Sequence, residues 1–386
     1  MRPQINTRYM RAIQMVDLKQ QYAKIKRDVD TAIQEVIDNA AFINGKAVTD
    51  FAANLSKYLD TPYVIPCANG TDALQIAMMA LELQPGDEVI TPSFTYIATT
   101  EVIALLKLKP VFVEVDPKTF CIDPVAIEKA ITPKTKAIVP VHMFGHSAHM
   151  EQIMAIAERH NLAVIEDNAQ AIGSDYYYKD GTSKKAGTIG TIGTTSFFPS
   201  KNLGCYGDGG AIFSNNETLA NRLKMIANHG QSKRYYHDIV GCNSRLDSIQ
   251  AAVLNVKIRL LDEYINARRQ AADYYDAAFA GNPKITTPYR APYSKHVFHQ
   301  YTLILDGVDR DALNQFLAQH NIPSMIYYPV PAHRQKMFDA FGGSSYVLKT
   351  TDWLTERVIS LPMHTELDEE QLQFITSKVL EFVNNA

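Results

Sequence analysis

From about residue 63 the chain alternates short Val- and Ile-rich runs with longer amphipathic stretches, and this alternation limits the folds open to it. Strands spaced by helical crossovers form a parallel sheet whose two faces are both covered by helices. VIPCANGTDALQIAMMALEL predicts a strand, a turn at Asn69-Gly70 and an amphipathic helix; EVITPSF, KPVFVEVD, AIVPVHMFG and LAVIED predict further strands. TTEVIALLKL and SAHMEQIMAIAERHN supply helices between them. Over SRLDSIQAAVLNVKIRLLDEYINARRQAADYYDAAFA the pattern becomes one long helical periodicity without Gly or Pro, which predicts a connector. Beyond it lie a strand in HVFHQYTLILDGV, a helix from near Arg310 and a terminal helix from near Asp368.

A chain of 386 residues exceeds what one core usually serves, so two packed units are expected. The boundaries read as an N-terminal segment 1–20, a large α/β domain 21–255 with a mostly parallel central sheet, and a smaller C-terminal α/β domain 256–386 that includes the connecting helix. A net charge of -3 and a pI near 6.4 argue against a nucleic-acid surface, so any phosphate must be bound locally. No apolar run reaches the roughly 18 to 20 residues of a membrane span, and MRPQINTRYMRAIQMVD has no apolar signal core; a cytoplasmic protein is expected. Cys67, Cys121, Cys205 and Cys242 stand singly, without the spacing of a metal site, and read as buried thiols.

Three segments suit a phosphorylated, cationic aromatic group. Asn69-Gly70-Thr71-Asp72 sits at a strand-to-helix junction, where free N–H groups attract an anion; the same residues also make a good turn and cap in any α/β protein. LAVIEDNAQAIG runs a strand into Glu166 and Asp167, with Gln170 three residues later, and acids at strand ends are where open sheets place ligands. An Asp beside a pyridine nitrogen would keep it protonated, though a capping role would look alike. In TTSFFPSKNLGCYGDGGAIF, Lys201 follows a hydroxyl-rich strand end and precedes a Gly-rich turn, a setting for a Schiff-base lysine.

Taken with MVDLKQQY, TPSFTYIATTE, TPKTKAIVPVHMFG, NHGQSKRYYH, GCNSRLDSIQAAVL, YYPVPAH and ISLPMHTELDEEQ, these segments resemble the DegT/DnrJ/EryC1/StrS family of sugar aminotransferases, in order and over nearly the whole chain. The resemblance implies the aspartate aminotransferase fold (fold type I) and pyridoxal 5'-phosphate as cofactor. It makes Lys201 the lysine that joins the cofactor, Asp167 the partner of the pyridine nitrogen and Gln170 a contact to the ring hydroxyl. Gly70, Thr71 and Ser196 match phosphate positions, Tyr96 the aromatic that stacks on the ring, and Asn243 a residue reaching the neighbouring subunit's phosphate, which implies a homodimer with shared sites. Lys201 also separates the chain from relatives that dehydrate sugars and carry histidine there.

The expected partners are glutamate as amino donor and a nucleotide-linked keto sugar, with no nucleic acid, membrane or metal. Arg245, His333, His229 and Tyr328 are the expected sugar contacts. NLGCYGDGGA and NSRLDSIQAA look most like relatives acting on a UDP-linked 3-keto sugar, such as a 2-acetamido-3-keto uronic acid used in surface polysaccharide or lipopolysaccharide assembly. A UDP-4-keto-6-deoxy sugar, a dTDP-3-keto-6-deoxy sugar, or a regulatory relative that binds the cofactor without turnover remain open. DYYYKDGTSKKAGTIG reads as a surface hairpin rather than a loop over the substrate.

Overall fold

A computed structural model describes residues 10–385. Seven strands make the central sheet: β1 (Tyr63–Cys67), β2 (Glu88–Pro92), β3 (Lys109–Val113), β4 (Thr135–Ile138), β5 (Ala163–Asp167), β6 (Ile192–Ser196) and β7 (Gly210–Ser214). Their spatial order is β1-β7-β6-β5-β4-β2-β3. Pairing is parallel from β3 through β6, and β7 runs antiparallel to both of its neighbours, so six strands point the same way. This is the mostly parallel sheet that the alternation predicts.

Why both faces are buried follows from the side-chain period of two. Val89, Ala137 and Ile165 enter one core with α3 (Gly70–Ala80) and α7 (Glu217–Ala227). Their neighbours Ile90, Ile138 and Val164 enter the opposite core with α5 (Pro124–Ala130) and α6 (Met150–His160). Ile90, Ile138, Val164 and Ile165 are all fully buried, and each such side chain stabilises the fold by about 1.5–3 kcal/mol. Among the remaining helices, α1 (Leu18–Asp38) packs Ile25 and Val29 on Val253 and Val256, while α2 (Lys46–Leu59) packs Phe51 and Leu55 toward Phe197 and Phe213. The fourth helix, α4 (Ala98–Leu105), follows β2.

The connector departs from the sequence expectation. Instead of one helix it forms α8 (Ser248–Lys257) and α9 (Leu261–Phe279), separated by a single 3-10 turn at Ile258–Leu260. Leu260, with φ -104 and ψ 0, leaves the α-helical region and so divides the helical run without Gly or Pro. The AIVPVHMFG strand is also shorter than expected: β4 ends at Ile138, and only an isolated bridge from Val141 to Asp167 continues it. The 175–190 segment is a hairpin, pairing Asp175–Tyr177 with Ser183–Lys185.

After α9, strands β8 (Ile285–Thr286), β9 (Tyr301–Leu305) and β10 (Val358–Leu361) form an antiparallel sheet with its own core, shared with α10 (Arg310–Gln319) and α12 (Glu369–Asn385). Between them, α11 (Lys349–Arg357) has its first turn capped by the Glu114 carboxylate, which accepts from the Thr350 and Thr351 N–H groups. Ile13 joins the core of this second sheet, and Arg11 pairs with Asp368 at 2.9 Å, so the start of the described chain docks on its end. No helix among the described residues is long and apolar enough to cross a membrane.

Candidate active site

The aligned strands bring their carboxyl ends to one edge, where loops after β1, β2, β4, β5 and β6 converge. At β1, Asn69 caps α3 by accepting from the Asp72 N–H at 2.8 Å. The N–H groups of Gly70 and Thr71 take no acceptor among the described residues and remain available to an anion. A Cβ on Gly70 would lie 2.7 Å from Ser196 Cβ, and one on Gly210 would lie 2.9 Å from Gly70 N. Only glycine therefore lets β6, β7 and the α3 terminus come this close. Ser196 Oγ accepts from the Phe198 N–H at 3.2 Å and keeps its own proton to donate. The Ala68 N–H donates to Ser244 Oγ at 3.1 Å, which draws the Asn243–Arg245 segment against this cradle.

At the end of β5 the strand period separates two adjacent acids. Glu166 turns away from the site: it is fully buried and accepts from the Gly187 and Ile189 N–H groups at 2.8 and 2.7 Å. It also meets His142 Nε2 at 2.8 Å. Because the Ala148 N–H donates to His142 Nδ1, the histidine proton sits on Nε2 and points at Glu166. Glu166 thus anchors the base of the 175–185 hairpin. Asp167 faces the other way, 5 % exposed, and its Oδ2 accepts from Thr99 Oγ1 at 2.8 Å.

Gln170 is oriented by the main chain. Its Oε1 accepts from the Phe144 N–H at 2.7 Å, so its amide N–H₂ faces the opposite way and donates to the Tyr328 hydroxyl at 3.0 Å. Phe144 holds a left-handed backbone, φ 57, to aim that N–H. The rings of Tyr328 and Tyr96 lie 6.3 Å apart, and Tyr96 is 57 % exposed, leaving its face open for another ring. Burial pushes the Tyr328 phenol well above its usual value, which keeps it protonated as a donor.

Lys201 stands in the loop between β6 and β7, with its N–H donating to Phe198 O at 2.9 Å. Desolvation lowers its amine to about 8, while the Asp167 carboxylate pulls the other way. A half-buried amine of that basicity is a competent nucleophile toward an aldehyde near neutral pH. Unpaired N–H donors, a glycine-lined approach, a buried carboxylate and this amine together fit a phosphorylated pyridine aldehyde. The residues that would hold it are Gly70, Thr71 and Ser196 at the phosphate, Asp167 at the ring nitrogen, and Lys201 at the aldehyde.

The remaining expected contacts divide. Arg245 is half-buried and takes no hydrogen-bond or ion-pair partner among the described residues, whereas Asn243 and His229 are exposed. His333 is 1 % exposed; its Nδ1 lies 2.7 Å from Ser93 Oγ, and its Nε2 has no hydrogen-bond partner and lies 3.6 Å from Asp352. Sequence reasoning did not single out Thr99 or Phe144. Thr99 stands in the quoted TPSFTYIATTE run, but nothing in that run tells which hydroxyl meets Asp167. Cys67, Cys121 and Cys205 are buried and Cys242 half-buried, and burial raises all four thiols, Cys205 to about 11. None is poised as a nucleophile.

Known proteins place the same arrangement in context. A relative from Pseudomonas aeruginosa, UDP-2-acetamido-2-deoxy-3-oxo-D-glucuronate aminotransferase, is 44% identical over 94% of this chain and 98% of its own. A pleiotropic regulatory protein from Geobacillus stearothermophilus is also 44% identical, over 96% of this chain and 98% of its own. Among solved structures, NtdA from Bacillus subtilis with bound cofactor PMP superposes with a TM-score of 0.91 at 31% identity, covering 99% of this chain and 87% of the other. The fold is that of fold type I aminotransferases, and pyridoxal phosphate is the cofactor of such enzymes. The model of the DegT/DnrJ/EryC1/StrS aminotransferase family matches residues 23–380, and the chain belongs to that family.

Proposed function

We propose that the chain moves an amino group from glutamate to a UDP-linked 3-keto sugar, of the class of 2-acetamido-3-keto-glucuronic acid, for surface polysaccharide or lipopolysaccharide assembly. The observation that carries the chemistry is Lys201, its amine lowered to about 8, in a loop at the strand edge that holds Asp167. Support for the sugar is the 44% identity to the Pseudomonas aeruginosa relative, whose name specifies that uronate. Bound pyridoxal phosphate supplies an aldehyde that accepts the amino group and a ring that absorbs negative charge from the carbon losing its proton. Lys201 Nζ would hold the cofactor and, as a free amine, would serve as the base that takes up and returns the proton. Asp167 keeps the ring nitrogen protonated, Gln170 contacts the ring hydroxyl, and Tyr96 covers the ring face.

In this reading Arg245, His333, His229 and Tyr328 line the sugar, and Asn243 reaches the phosphate of a partner subunit in a homodimer. The exposure of Asn243 and His229 fits surfaces that a second copy would cover. Residues 21–255 form the cofactor-binding unit and 256–386 the smaller one, a division supported by the separate core around β9. The test is a panel of UDP- and dTDP-linked keto sugars incubated with glutamate, with product mass and amine position determined. A 3-amino uronate product is expected. Preference for a 4-keto or dTDP-linked 3-keto sugar would replace the substrate assignment. Because one relative has a regulatory name, glutamate must also bleach the cofactor's visible band; a stable band would favour a binding role without turnover.

A further inference from the structure

Lys257 is a buried amine for which the reaction above has no use. It lies at the end of α8, 1 % exposed, and forms no ion pair among the described residues. Its Nζ donates to Gly204 O at 2.6 Å and sits 5.4 Å from the centre of the Tyr206 ring. Burial pushes this amine down to about 8. An amine in the core with one carbonyl and one aromatic face for company is costly compared with an apolar side chain of the same length.

What it grips is the turn that presents Lys201. That turn is closed at its base, where the Cys205 N–H donates to Phe197 O at 2.8 Å and the Phe197 N–H donates to Gly209 O at 2.7 Å. Its outer part is held from two directions. Asn202 Nδ2 donates to Val297 O at 3.0 Å, on the segment leading into β9, and Lys257 holds Gly204 O from α8. A Cβ on Gly204 would collide with the carbonyls of Pro199 and Phe198, so only glycine lets the chain at 204 pass this close to the backbone that leads into Lys201. Lys201 lies directly before this doubly held stretch.

We propose that Lys257 is a positioning residue for Lys201: by holding the Gly204 carbonyl it fixes the turn that aims the Lys201 amine at the cofactor aldehyde. The proposal rests on the assignment of Lys201 as the cofactor lysine. It accounts for a buried amine that is neither paired with a carboxylate nor placed at the strand edge.

The test uses full-length Lys257→Met and Lys257→Gln proteins, with thermal melting as a check on folding. In Lys257→Met, hydrogen exchange across residues 198–206 speeds up at least tenfold while exchange in β4 and β5 stays at the wild-type rate. Covalent capture of pyridoxal phosphate by the apo-protein, trapped with borohydride and mapped to Lys201 by peptide mass, slows at least tenfold. Lys257→Gln, which keeps an N–H donor, falls between. With loaded enzyme, kcat per site, the sites being counted by bound cofactor, falls while the KM for glutamate changes less than twofold; counting the sites removes loss of folded enzyme as the cause. Wild-type exchange and capture rates in folded Lys257→Met overturn the proposal. If that variant does not fold, Lys257→Gln decides on the same criteria. Failure of wild-type protein to label at Lys201 would instead remove the cofactor assignment, and the exchange measurement would still judge the grip on the turn.

Discussion

Thr99 Oγ1 donates to Asp167 Oδ2 at 2.8 Å while lying 2.9 Å from Thr95 Oγ1, so a short chain of hydroxyls ends on the acid assigned to the ring nitrogen. The Ala169 N–H adds a bond to Asp167 Oδ1 at 3.1 Å. The two donors, one on each oxygen, fix the orientation of the carboxylate.

Removing the hydroxyl isosterically in Thr99→Val should leave the fold intact and free Asp167 to swing. A hydrogen bond to a charged group is worth about 1.5–3 kcal/mol, so kcat with glutamate should fall by about tenfold or more. Asp167→Asn should lose far more, since the ring nitrogen would no longer be held protonated. Steady-state kinetics of the two variants checks this order; wild-type turnover in Asp167→Asn would assign the role to another group.

Lys201 supplies a pH dependence. Burial lowers its amine to about 8, and only the neutral amine attacks an aldehyde, so capture of pyridoxal phosphate by the apo-protein should accelerate as pH rises toward about 8 and level off above it. An ordinary exposed lysine would keep accelerating beyond pH 9. Lys201→Ala should bind the cofactor but release it after borohydride reduction and denaturation. Stopped-flow absorbance and peptide mapping measure both.

The proposed homodimer can be tested by complementation. Lys201→Ala and Asn243→Ala subunits, each inactive alone, should regain activity when mixed, because one of the two sites in a mixed dimer would contain both wild-type residues. Demonstrated subunit exchange without recovery of activity would remove Asn243 from the partner's site.

Arg245 has no partner within the described chain and is free to pair with a sugar carboxylate. Truncating such a pair costs at least about 2 kcal/mol, or roughly thirtyfold in kcat/KM. Arg245→Met should therefore impair a uronate substrate by that factor and the neutral sugar much less. Equal losses on both would show that the guanidinium does not read the carboxylate.

Much of this was legible in the sequence because the features are local. The Asn69-Gly70 junction and the acid ending β5 are each written within a dozen consecutive residues, and every strand of the alternation is read from its own short run. What escaped depends on residues far apart in the chain. Thr99 reaches Asp167 only because β2, β4 and β5 are neighbours, an order that periodicity does not encode. Phe144 orients Gln170 through its backbone N–H, which its side chain does not advertise. Lys257 reads as one more polar residue on an amphipathic helix until Gly204 is placed beside it. The break at Ile258–Leu260 is different: it is local, but it has no Gly or Pro to mark it.

β1 meets the sheet only through β7, with Tyr63 opposite Ser214 and Cys67 opposite Gly210. A chain emerging from the ribosome therefore makes the Gly70 turn early but has nowhere to seat it until the residues beyond Lys201 have been synthesised. Loop closure over that distance is entropically costly and slow, and the two halves of the cradle stay apart until it occurs. The binding edge thus cannot become competent until more than half of the chain has been made, and cofactor arriving sooner would find the Gly70 turn without its opposite wall.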